Sequence, residues 1–150
     1  MEESSRVART QGFGLAVLRV IVGIVFLAHG LQKVLVFGVG GFAGNLEGQG
    51  VPLPLVLAVV VTLVEVVGGV ALILGLFTRL VAIPLAIDML VAMLMVHFPN
   101  GFFMMNNGIE LTLTLLAASV ALALSGSGEL SLDKALAARA GNPTLARMMR

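Results

Sequence analysis

Cysteine, tryptophan and tyrosine are all absent from the chain, and only 11% of its residues are charged. Without cysteine the chain itself offers no disulfide, no thiolate nucleophile, no ligand set for an iron–sulfur cluster and no sulfur relay. Without tryptophan and tyrosine it lacks the usual aromatic belt of a membrane interface, leaving Phe, Lys and Arg to anchor helix ends. A net charge of +1 over 150 residues, with no basic patches interleaved with aromatics, gives no basis for nucleic-acid binding. No glycine-rich dinucleotide fingerprint is present, so neither NAD nor flavin is indicated.

What is abundant is apolar. Hydrophobic residues make up 59% of the chain and the mean hydropathy is +1.08, whereas a soluble domain carries about twice this charged fraction. The composition is that of an all-α integral membrane protein of one domain. The hydrophobic pattern divides it into a flexible N-terminal segment at 1–12, a transmembrane domain at 13–128 and an amphipathic tail at 129–150. Four spans are expected, at about 13–37, 53–77, 80–98 and 109–125, each close to the roughly 20 residues that cross a bilayer. The first run is too long for a cleaved signal peptide and holds Arg19 and His29. The glycine-rich stretch 38–52 reads as a loop, 99–108 as an uncharged loop, and Thr78-Arg79 as a tight link that makes spans 2 and 3 a helical hairpin. In the tail, Leu132 and Leu136 fall on one side of a short helix closed by Gly141-Asn142-Pro143.

Arg6, Arg9, Arg79, Lys134, Arg139, Arg147 and Arg150 fall on the side shared by both termini and the link between spans 2 and 3. The opposite loops have no Lys or Arg, so the positive-inside rule places both termini in the cytoplasm of a multi-pass protein of the bacterial inner membrane.

Ionisable residues inside such spans are costly and need partners. Span 1 carries His29 and Lys33 one turn apart on one face, with Arg19 within a quarter turn of them. Counting ~1.5 Å of rise per residue from the cytoplasmic ends gives three layers. Arg19 lies nearest Asp88, His29 nearest Glu65, and Lys33 gathers with His97 and Glu110 toward the outer surface. Arg19–Asp88 is the expected structural ion pair, whose plainer role is to fix bundle register. His29 and Glu65 are the expected proton-exchanging pair, while Lys33, His97, Glu110 and Asn107 are the expected ligand-binding set. Glu65 beside Gly68-Gly69 also reads as a packing motif, and Met89, Met93, Met95, Met104 and Met105 as gap-fillers or as the wall of a lipid-like pocket. His29, His97, Glu65 and Glu110 are ligand types for a metal, but their spacing contains no close pair, and no metal is expected.

These residues fall in an ordered pattern: Arg19, Gly23, Phe26, His29-Gly30 and Lys33; Gly50-Val51-Pro52; Glu65, Gly68-Gly69, Leu74-Gly75-Leu76 and Thr78-Arg79; His97 and Asn100-Gly101; Gly108-Ile109-Glu110-Leu111; and 126–133. In that pattern the chain resembles the DoxX family of small four-helix bacterial membrane proteins from about residue 15 to 135. Ile109 departs from it, standing where the family often has an aromatic residue. The resemblance implies quinone-linked redox, since members include a subunit of thiosulfate:quinone oxidoreductase, proteins induced by quinones and catechols, and a membrane partner in oxidative-stress complexes. It makes quinone the expected ligand, and a lipid bilayer, a soluble or membrane redox partner and further copies of the chain the expected associates. The other reading is a non-catalytic assembly or small-molecule transport protein whose polar core binds a solute or docks a partner.

Overall fold

A computed structural model describes residues 2–139, and all their regular structure is helical. The order is α1 (Glu2–Leu35), α2 (Gly38–Gly48), α3 (Pro54–Leu74), α4 (Thr78–Ala92) and, after one wider and two tighter helical turns, α5 (Glu110–Ser125) and α6 (Leu132–Arg139). Three of the helical stretches, Ser5–Leu35, Pro54–Leu74 and Thr78–Asn100, are long and apolar enough to cross a membrane, and Glu110–Ser125 is a shorter apolar helix. Large apolar side chains such as Val17, Ile21, Leu63, Val67, Ile83 and Ile87 point outward, as a lipid-facing surface requires.

The bundle packs α1 on α3, α3 on α4 and α4 on α5. The core between them holds Val22 and Phe26 of α1, Leu72 of α3, Ala82, Leu85 and Met89 of α4, and Leu115 and Leu122 of α5. Helices α1 and α3 approach to backbone contact: a Cβ on Gly23 would sit 2.8 Å from the Gly69 carbonyl oxygen, and one on Gly30 would sit 2.9 Å from the Val66 nitrogen. Small residues permit this approach where apolar lipid supplies no hydrophobic drive between helices.

Two segments differ from the sequence expectation. Residues 2–12, expected to be flexible, continue α1 without a break. Ser5 and Thr10 hydroxyls donate to the carbonyls of Glu2 and Arg6, Glu2 and Glu3 sit at the positive end of the helix dipole, and Arg9 lies over the Phe13 ring. The stretch 38–52, expected as a loop, is mostly α2. Val39, Phe42, Ala43 and Leu46 recur at helical spacing and pack with Val51 and Ala58, so burial overrides the weak helix propensity of the five glycines within 38–48. The span ends also shift: α3 stops at Leu74, where Gly75 turns left-handed (φ +68°) and the Leu76 amide closes on Ala71 at 2.9 Å.

The end of the bundle that carries α1's N-terminus is tied together by the segment after α5. Glu129 donates its amide to Gly12, and Asp133 donates its amide to Gly75. The Asp133 carboxylate accepts the amides of Phe77 (2.8 Å) and Thr78 (3.3 Å), capping α4 from outside its own helix. Asp133→Ala should therefore lower stability by about 1–2 kcal/mol, read as a shift in detergent unfolding, whereas Lys134→Ala should leave it nearly unchanged, since the exposed Lys134 ammonium pairs with the partly exposed Glu129. Leu132 and Leu136 of α6 are exposed. Gly141-Asn142-Pro143, Arg147 and Arg150 lie outside the described residues.

Candidate functional site

At the opposite end, the C-terminal turns of α1 and α4 meet the N-terminal turns of α3 and α5, and α2 lies across them. These elements enclose a cavity of about 400 Å³. Its walls are apolar, with Phe37, Phe42, Met89, Met95 and Leu115 among them; its polar groups include His29, Lys33, Glu65 and Asp88.

The centre of that polar set is an ion pair. Lys33 Nζ donates to Glu65 Oε2 at 2.5 Å, and both side chains are largely buried. Glu65 is brought there by the α1–α3 contact at Gly30, and a Cβ on that glycine would touch the Glu65 Cβ at 3.1 Å. The Phe42 ring of α2 covers the same ammonium, with Nζ 5.2 Å from the ring centre. Asp88 is within electrostatic reach of Glu65 and Lys33, and its Oδ2 atom is buried with no hydrogen-bond partner among the described residues. His29 lines the cavity beside them and is half-buried.

The rim opposite α2 is held by the irregular turn between α4 and α5. Helix α4 widens into a π-helical turn at Met93–His97, and π-turns recur at functional sites. His97 Nδ1 lies 2.8 Å from the Asn107 carbonyl oxygen, which can only accept, so the ring donates there. Asn107 itself adopts a left-handed conformation (φ +61°). Glu110 Oε2 accepts the Met104 amide at 2.9 Å, so it holds the turn and does not line the cavity.

Six of the eight residues singled out in the sequence thus converge on one cavity: His29, Lys33, Glu65, Asp88, His97 and Asn107. Glu110 and Arg19 do not. The expected Arg19–Asp88 pair is not formed. Arg19 donates to the carbonyls of Leu72 (2.5 Å), Ile73 (3.0 Å) and Leu130 (3.2 Å), at the far end of the bundle. Two of those are terminal carbonyls of α3, where the helix dipole favours a cation, and Asp133 is the acid within electrostatic reach. The expected layering of Glu65 with His29 gives way to Glu65 with Lys33, because a lysine side chain spans more than one turn of helix rise. Phe42, Asn45, Leu46 and Gln49 line the cavity and were not expected, since 38–52 reads as a loop in sequence; the i, i+3, i+7 spacing of Val39, Phe42 and Leu46 is the signal that could have found them. Although His29, Glu65 and His97 share the cavity, among the described residues no three His, Cys, Asp or Glu side chains gather as a metal-ligand set.

Comparison with known proteins adds the following. The DoxX family model matches residues 14–98. A protein of Bacillus subtilis (strain 168) named "Putative oxidoreductase CatD" is 38% identical over 121 residues, covering 80% of this chain and 84% of its own. A Haemophilus influenzae (strain Rd) protein without an assigned role is 38% identical over 122 residues, covering 79% and 87%. The membrane protein Rv3486 of Mycobacterium tuberculosis (strain H37Rv), also without an assigned role, is 35% identical over 133 residues, covering 82% and 81%. No solved structure matches the chain.

Proposed function

The chain belongs to the DoxX family, and from that premise we propose that it is a quinone-interacting membrane protein, the membrane subunit of a redox or oxidative-stress complex. It has four spans, α1, α3, α4 with its π-turn, and α5, both termini face the cytoplasm, and the cavity opens toward the outer side of the bacterial inner membrane. The supporting observation is the cavity's division into apolar wall and ionisable floor. Phe37, Phe42, Met89 and Met95 suit the faces of a planar ring, and Lys33, Glu65, Asp88 and His29 suit the oxygens at its edge. About 400 Å³ accommodates such a ring and a short substituent. The oxidoreductase name of the Bacillus subtilis relative points the same way.

A quinone supplies two-electron, two-proton chemistry when bound. The chain's residues address the protons and the position. Lys33 holds Glu65 at the floor through their 2.5 Å contact. Glu65 and His29 are the groups that exchange protons with ring oxygens, as bases and acids within the same cavity. Phe42 shields the Lys33–Glu65 pair from water, which strengthens it. Electrons come from a partner's cofactor.

Glu65→Gln keeps an acceptor for Lys33 and should leave the bundle folded, but should lower quinone retention and partner-dependent quinol formation more than tenfold. His29→Ala should do the same at matched folded yield. Wild-type retention of both properties in Glu65→Gln would defeat the proton role and favour a non-catalytic binding or transport protein.

A further inference from the structure

The cavity of about 400 Å³ holds a ring and a short substituent, so a longer substituent has to leave it. Its walls differ in what they offer such a chain. The α1–α3 seam is closed by backbone contact between Gly23 and Gly69. Asn45, Gln49, His97 and Asn107 put polar side chains along the rim, and an apolar chain led past them ends in water at a cost that grows with its area. The α3–α4 seam is apolar instead. Leu57 and Val61 of α3 and Val91 and Met95 of α4 line the cavity there, and Val91 and Met95 are each 42% exposed beside the outward-facing Ile87 and Leu94.

The same seam continues into a groove of about 310 Å³, lined by Leu63, Val64, Val67 and Gly68 of α3 and by Val81 and Pro84 of α4. None of these six residues has a polar side chain. Helical spacing makes groove and cavity one track. On α3, Leu57, Val61 and Glu65 line the cavity four residues apart, and Val64 and Gly68 extend that row by a turn. On α4, Pro84 of the groove lies one turn from Asp88 of the cavity, on the row that runs on to Val91 and Met95. At ~1.5 Å of rise per residue the groove lies about 14–21 Å along α3 from its Pro54 end, which on the four-span topology is near the middle of a hydrocarbon core of about 30 Å. Resting on the quinone-binding reading above, we infer that the ligand is a membrane quinone with a long isoprenoid tail, and that this tail leaves the cavity between α3 and α4 and lies in the groove. The ring then sits toward the outer side and the tail runs toward the bilayer centre. Against lipid the groove gains no hydrophobic energy over an acyl chain, so it acts by routing the tail and thereby orienting the ring. A tail-free ring would use the cavity and leave the groove to lipid.

The test uses the full chain in phosphatidylcholine nanodiscs and three probes. One is a 1,4-naphthoquinone with a four-isoprene tail bearing a diazirine on its second isoprene unit. Another is phosphatidylcholine with a diazirine in mid-chain, and the last is tail-free 2,3-dimethyl-1,4-naphthoquinone, read by equilibrium dialysis against empty discs. After photolysis, mass spectrometry should find the quinone label on 63–68 and 81–84 at least about fivefold above the outward face of α1 at Val17 and Ile21. The lipid label should fall on both alike, and excess unlabelled tailed quinone should remove the seam label. Val67→Trp fills the groove at an exposed residue that does not line the cavity. It should cut the quinone label at the seam at least about threefold and leave binding of the tail-free ring within about twofold of wild type. A quinone label spread like the lipid label overturns the inference, and so does a seam label that Val67→Trp leaves unchanged, or binding of the tail-free ring with no retention of the tailed probe. In each of these cases binding of the tail-free ring leaves the quinone reading intact. Should the variant not fold, the wild-type label and its competition decide. Failure of both quinones to bind removes the quinone reading itself, and the inference with it.

Discussion

Lys33→Met should be among the most damaging single changes in the chain, lowering stability by about 3–5 kcal/mol, because it strands Glu65 without its cation in a site almost closed to solvent. That is more than a hundredfold in the ratio of folded to unfolded protein. The reciprocal change, Glu65→Leu, should cost less. Lys33 is the more exposed partner, and its long stem can carry the ammonium toward the cavity mouth or toward Asp88. The double variant Lys33→Met/Glu65→Leu should recover most of the loss, since an apolar pair of similar volume can match a buried ion pair. Unfolding in mixed micelles by titrated denaturing detergent gives the three values. Additive losses in the double variant would show that the pair is not a coupled unit.

The second large effect concerns the seam between α1 and α3. A Cβ at residue 69 would sit 2.6 Å from the Leu27 nitrogen and 2.8 Å from the Gly23 carbonyl oxygen, both backbone atoms that cannot turn aside. Gly69→Ala must part the two helices and should cost about 1–3 kcal/mol, and Gly69→Leu more. Because Lys33 stands on α1 and Glu65 on α3, the same separation should weaken ligand binding in a cavity that residue 69 does not line. Gly44 is the control: nothing lies within 4 Å of a Cβ there, so Gly44→Ala should stabilise α2 by about 0.5–1 kcal/mol. If Gly69→Ala and Gly44→Ala have the same effect on unfolding and binding, close backbone contact does not hold the site together.

Much of this was legible in the sequence, and the reasons for the remainder are physical. Helices α3, α4 and α5 follow from long apolar runs bounded by Pro54, Gly75 and Gly126, whose effects are local to the backbone. Helix α2 was hidden because glycine content argues locally for a loop, while the burial of Phe42 and Leu46 that decides the matter is tertiary. At the site, counting rise per residue brought His29, Lys33, Glu65 and His97 toward one end of the bundle, because depth is additive along a helix. The same counting mispaired Arg19. Its partners are main-chain carbonyls of Leu72, Ile73 and Leu130, and a sequence displays side chains, not the unspent acceptors of a helix end. It also matched Glu65 to His29 when the reach of the Lys33 side chain made it the partner.

The 16 residues of α5 bear on the membrane as well as on the protein. At 1.5 Å each they measure about 24 Å, short of a hydrocarbon core of about 30 Å. On the proposed four-span topology, α5 would be mismatched to an ordinary bilayer, and the turn before it would lie at acyl-chain depth. That turn is suited to the position. Its outward side chains Phe102, Phe103, Met104 and Met105 are apolar. Its backbone is cross-bonded, Ile109 to Gly101, Glu110 to Phe102, and Asn106 and Gly108 to Phe103, with Glu110 taking the Met104 amide. Irregular backbone is tolerated at such depth where its polar groups are satisfied within the protein. On that proposed topology the thickness of the surrounding bilayer would bear on the mouth of the cavity: a thinner membrane would free the turn into the headgroup layer, and a thicker one would press it down over His97 and Asn107.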